Sequence, residues 1–117
     1  MTSIMRLKSA IWVAAYVRRC HGEGAFAVVV RRGAEEAGAI TVTVDRLDGT
    51  SDLYVPAPQS VFEAGQPEDR LFLRVLERAG TDDISVRLAA ERKFDPDIWI
   101  VTVEDRDGRS FLDLAPA

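Results

Sequence analysis

Eight consecutive apolar residues, Ala10–Val17, open the patterned part of the chain and leave no polar side. A helix that is apolar all round is buried on several sides. The pattern therefore predicts a helix over Ala10–His21 with the rest of the chain wrapped around it. Ser9 is placed to cap its first turn. Arg18, Arg19 and His21 fall in its last turn, where cations suit the negative end of the helix dipole. Gly22 is a natural stop, and Gly22-Glu23-Gly24 breaks the chain before a strand.

Period-two alternation takes over from there. Over Phe26–Arg32, Phe26, Val28 and Val30 share one face, with Ala27, Val29 and Arg31 on the other. Gly33–Gly38 returns the chain. Ala39–Leu47 alternates Ile40, Val42 and Val44 against Thr41, Thr43 and Asp45, which predicts one buried and one wet face. The two strands read as an antiparallel hairpin. Asp48-Gly49 starts the next turn, Leu53-Tyr54-Val55 forms a short strand, and Pro56 and Pro58 end it. Gln59–Arg70 reads as irregular, with room for a helical turn at Ser60–Ala64.

Leu71–Glu77 alternates as a fourth strand. Thr81 is placed to cap a second helix over Asp82–Lys93, with Ile84 and Leu88 on its inner stripe and Pro96 beyond its end. Asp97–Glu104 is dense in β-formers. Asp107-Gly108 is a hairpin signal that would return Ser110–Leu114 as an edge strand. The sum is a single α+β domain over residues 1–117, a mostly antiparallel sheet of five or six strands packed against two helices.

Composition adds three constraints. A chain of 117 residues with 47% hydrophobic and 29% charged side chains can bury a core without disulfides. Its one cysteine, Cys20, suits a reducing compartment. The apolar run is far shorter than the roughly 20 residues that span a bilayer, so the expectation is a cytoplasmic protein without a membrane segment. The net charge of −4 is divided unevenly. Residues 1–33 hold six basic side chains against one acid, a balance of +5, and the remainder carries −9.

Several local words, taken together, resemble a known family: Arg6-Leu7-Lys8-Ser9, Ile11-Trp12-Val13, Arg18-Arg19-Cys20, Arg31-Arg32-Gly33, Gly38-Ala39-Ile40, Pro58-Gln59-Ser60, Phe94-Asp95-Pro96-Asp97-Ile98-Trp99 and Glu104-Asp105-Arg106. These resemble the mainly alphaproteobacterial family called domain of unknown function 1491. The resemblance implies a bacterial cytoplasmic protein of one domain and brings no catalytic residue with it.

Candidate chemistry is sparse. Cys20 and His21 are helix neighbours, so their side chains diverge and make a poor nucleophile–base pair. One thiol and one imidazole also fall short of a closed zinc site. Asp95 and Asp97 lie at the opposite end of one strand from Glu104, Asp105 and Asp107, over about 20 Å away. Asp105-Arg106-Asp107-Gly108 lacks the later oxygen ligands of a calcium loop. Trp12, Trp99 and Tyr16 read as core. No catalytic residue, metal ligand or cofactor is expected.

Arg18, Arg19, Arg31 and Arg32 remain. If the helix end met the strand end, they would form a basic edge for an acidic protein partner. The favoured reading is thus a non-enzymatic binding or accessory module, with a homodimer as a further expectation. The alternatives are a nucleic-acid binder, opposed by a sequence pI near 5.0, and an enzyme whose site has no recognisable motif.

Overall fold

Helix α1 (Ser9–Gly22) buries one stripe, Ser9, Val13, Tyr16 and Cys20, while Ile11, Ala14, Ala15 and Arg18 face solvent. This corrects the expectation of a helix enclosed by the chain. The all-apolar run hides an ordinary amphipathic spacing of three to four residues, and α1 lies on one face of a sheet. The computed structural model describes residues 7–58 and 70–116; the helical turn expected at Ser60–Ala64 falls outside them.

The strands are β1 (Phe26–Arg31), β2 (Ile40–Asp45), β3 (Thr50–Pro56), β4 (Phe72–Gly80) and β5 (Trp99–Glu104), with helix α2 (Thr81–Phe94) joining the last two. They form one sheet in the order β1-β5-β2-β3-β4. All pairs are antiparallel except β2 with β5. The architecture is the expected α+β one, a mostly antiparallel sheet with two helices.

Two connections differ from the expectation. β1 and β2 are not a hairpin, because β5 inserts between them and pairs with both. The Gly33–Gly38 loop makes that possible by wrapping Asp97 at the entry to β5. Ala34 donates its amide to the Asp97 carbonyl, and a Cβ at Gly33 or Gly38 would collide with that same carbonyl. Nor does Ser110–Leu114 return along β5. Leu114 makes one bridge to Phe72 at the start of β4, and β1 occupies the place beside β5.

One face of the sheet carries Ala27, Ile40, Val42, Val44, Tyr54, Phe72, Trp99, Val101 and Val103 against α1. The other carries Thr41, Thr43, Leu53 and Ile100. The threonine face of β2, expected to be wet, is buried too (Thr41 1%, Thr43 5% exposed). Central strands beneath a second helix are covered on both sides. Thr43 answers the burial with a 2.7 Å bond to Thr102.

Neither helix uses its expected cap. Lys8 occupies the N-cap of α1, while the Ser9 hydroxyl donates to the Gly38 carbonyl at 2.6 Å. Gly80 occupies the N-cap of α2. Asp82 and Asp83 do lie in its first turn, and Arg92 and Lys93 in its last.

Candidate functional site

The four arginines do not form one patch. Arg18 and Arg19 are exposed near the end of α1, where the chain turns at once into β1 and the Ala25 amide bonds the Cys20 carbonyl. β1 then runs back along α1. Arg31 and Arg32 thus lie at the far end, about 16 Å along a six-residue strand, beside the helix start, where Ser9 and Ala10 bond Glu36 and Glu35.

Arg31 and Arg32, being adjacent, point to opposite faces, and a bulge decides which face each takes. Val29 faces Val101, but Arg31 faces Ile100, so Val30 is the extra residue. One extra residue reverses the alternation that follows. Arg31 therefore turns to the face opposite α1, where its Nη1 donates to the Ile98 carbonyl at 2.7 Å. Arg32 takes the α1 face, its guanidinium 4.8 Å from the Trp99 ring centre, a cation–π geometry.

The turned Arg31 meets cations that the sequence did not flag. An open groove of about 350 Å³ lies between the end of β1 and the end of α2, lined by Arg31, Ala89, Arg92, Lys93 and Pro96. Among the described residues, none of its three cations forms an ion pair. Phe94, beside them, is 92% exposed. Asp95 is nearby, but one of its oxygens accepts the Asp97 amide. The groove can hold an anion against several donors; part of its charge is absorbed by the negative end of α2. Three consecutive residues, Arg92-Lys93-Phe94, were the available signal, overlooked because cations belong at a helix end.

The remaining candidates separate. Cys20 is fully buried, and desolvation pushes its thiol upward, which opposes a nucleophilic thiolate. His21 is exposed; its Nε2 lies 3.0 Å from the Ala27 carbonyl, so that nitrogen carries the proton, and its ring stacks on Phe26. Trp12 stacks on Tyr16 at 5.0 Å between ring centres and leans on Phe72. The Trp99 indole donates to the Ala34 carbonyl.

Asp105 is bound by the Arg109 side chain, and by the Arg109 amide at 2.8 Å. Those bonds hold its carboxyl below the usual carboxylate range. Among the described residues no three carboxylate, thiol or imidazole groups converge as a metal site would need. No helix among them is long and apolar enough to cross a membrane.

The second feature missed in the sequence is a buried ion pair. Arg46 donates through Nε and Nη2 to Asp52, the latter bond at 2.7 Å, and Asp52 also accepts the Arg78 amide. Asp52 has no exposed surface and Arg46 retains 8%. Their positions across the Asp48-Gly49 turn were the only sequence hint.

The family model described as "Protein of unknown function (DUF1491)" matches residues 7–113. The crystal structure of a DUF1491 family protein from Caulobacter crescentus CB15 is 37% identical, with a TM-score of 0.77 over 97% of this chain and 100% of that one. The solution structure of protein Atu0922 from A. tumefaciens is 39% identical, with a TM-score of 0.82 over 97% and 98%. No curated protein matches the chain.

Proposed function

The chain belongs to the DUF1491 family of unknown function, and from that premise we propose that it is a non-enzymatic binding module that holds an acidic protein segment. The groove lined by Arg31, Arg92 and Lys93 carries this reading, because its cations have no carboxylate partner among the described residues. Guanidinium groups bind carboxylates through paired hydrogen bonds. The basic edge expected from Arg18, Arg19, Arg31 and Arg32 becomes two stations, with Arg18 and Arg19 contributing long-range attraction from the other end. The cytoplasm suits a chain whose only thiol, Cys20, is buried and unpaired.

Phe94 supports a second reading. An exposed aromatic beside Arg92 and Lys93 is the combination on which single-stranded nucleic acid stacks. A net charge of −4 favours the acidic segment less than a basic chain would, and favours nucleic acid still less.

The test is a titration at low salt with two labelled probes, an oligoglutamate peptide and a single-stranded oligonucleotide. The proposal predicts that the peptide binds and that Arg92→Glu/Lys93→Glu abolishes binding. If only the oligonucleotide binds, and Phe94→Ala weakens it, the second reading replaces the first. If neither probe binds at low salt, the groove is not an anion site.

A further inference from the structure

The two edges of the sheet are treated differently. The β4 edge is covered at its start, where Phe72 donates to the Asp113 carbonyl and accepts the Ala115 amide; beyond that it carries Arg74 and Glu77 and two register shifts. Charges and bulges are how natural sheets discourage further pairing. The β1 edge has its bulge only at the far end, beyond Val29. Its solvent face presents Phe26, Val28 and Val30, exposed by 54%, 44% and 61%.

The ladder identifies which backbone groups of β1 point away from β5. Trp99 and Asp105 donate their amides to Ala39 and Asp45 on the β2 side. The alternate residues of β5, Thr102 and Glu104, therefore face β1, and their partners are Val28 and Phe26. Ala27 and Val29 consequently turn their amides and carbonyls outward. The His21 bond to the Ala27 carbonyl covers one of these groups.

We propose that this edge docks a second copy of the chain, β1 pairing antiparallel with its counterpart about a two-fold axis near Val28. In that register the outward Ala27 meets Val29 of the second copy and Val29 meets its Ala27. Val28 faces its own equivalent, and Phe26 faces Val30, so the apolar face is complementary to itself. The charges select a copy of the same chain. Glu23 precedes the strand and Arg32 follows it, both exposed, and reversal brings each within about one residue of the other across the axis. A two-fold interface repeats this pairing at both ends. Ala10, Ala14, Val17 and His21 follow one another at helical spacing on α1, and His21 lies against this edge at Phe26 and Ala27. Pairing costs the His21 bond to Ala27, which a strand amide replaces.

The mass in solution tests this, measured by light scattering over a dilution series up to about 100 µM, where an interface of micromolar affinity is filled. The wild type should have twice the 12.9 kDa chain mass. Glu23→Arg and Arg32→Glu should each weaken self-association at least about tenfold. An equimolar mixture of the two should recover the dimer, because each then supplies the opposite charge. Val28→Lys, at an exposed position, should give a folded monomer by circular dichroism. A wild type that stays at 12.9 kDa, or a dimer indifferent to Val28→Lys and to the charge reversals, overturns the proposal. Arg92 and Lys93 play no part in this interface, so the result is independent of the groove titration.

Discussion

Gly108 lies directly against the guanidinium of Arg46: a Cβ built on the glycine would fall on the Arg46 Cζ, Nη1 and Nη2 atoms. The Asp105–Gly108 turn thereby lids the Arg46–Asp52 pair, and the Gly108 amide closes it on the Asp105 carbonyl. Gly108 also has a φ of +74°, which L side chains adopt at a cost. Gly108→Ala should destabilise the protein by about 1–3 kcal/mol. Thermal unfolding checks this, with Gly24→Ala as the comparison: Gly24 also has a positive φ but open space around it, so it should cost less.

Removing one partner of the buried pair should cost more than adding a methyl above it. Asp52→Ala leaves the Arg46 charge without its carboxylate, for which about 3–5 kcal/mol is expected in urea unfolding.

The same pair sets the response to acid. Burial raises the Asp52 carboxyl, but the Arg46 hydrogen bonds, the Arg78 amide and the Arg46 charge outweigh it and hold it below its ordinary value. Asp105 is held down chiefly by Arg109. A carboxyl depressed on folding contributes stability above its unfolded value, near about 3.9, and loses it as pH falls through the folded value. The urea midpoint should therefore change little on acidification to about pH 4 and fall steeply below it. Asp52→Asn should be less stable at neutral pH and show a shallower acid slope.

Gly33 meets backbone rather than a movable side chain: an added Cβ would strike the Asp97 carbonyl oxygen, the Ile98 carbonyl carbon and the Trp99 ring edge. Gly33→Ala must shift the loop that clasps the start of β5, so it should cost about 3 kcal/mol and broaden the amide resonances of Ala34 and Trp99. A variant as stable as wild type would show that the clasp does not hold β5 between β1 and β2.

Cys20 should behave as a core residue. A thiol reagent should modify it slowly in the native protein and quickly in denaturant, and His21→Ala should leave the native rate nearly unchanged. Rapid native labelling that depends on His21 would reinstate the pair as chemistry.

Local chemistry was legible in the sequence and long-range registration was not. Gly22 after Arg18-Arg19-Cys20-His21 marked the end of α1, and the β-branched run Val28-Val29-Val30 marked β1. The neighbour of β1 depends on residues 69 to 78 positions away, and short-range alternation favours a hairpin. The candidate site failed on chain direction and then on register: β1 runs back along α1 and carries Arg31 and Arg32 to the end opposite Arg18 and Arg19. The extra Val30 in the bulge put Arg31, and not Arg32, on the face of Arg92 and Lys93, and nothing in Val28-Val29-Val30 distinguishes a bulged valine from a paired one. Arg46 and Asp52 were hidden similarly, since charges flanking a turn usually face water.

Arg31, Arg92 and Lys93 line one groove, which is proposed to bind anions. The most direct test follows backbone amide resonances while oligoglutamate is added at low salt. Saturable shifts are expected at Arg31, Arg92, Lys93 and Phe94, with little change at Arg18 and Arg19 and loss of the shifts as salt screens the charges. Shifts centred on Arg18 and Arg19, or no shifts at low salt, would contradict it.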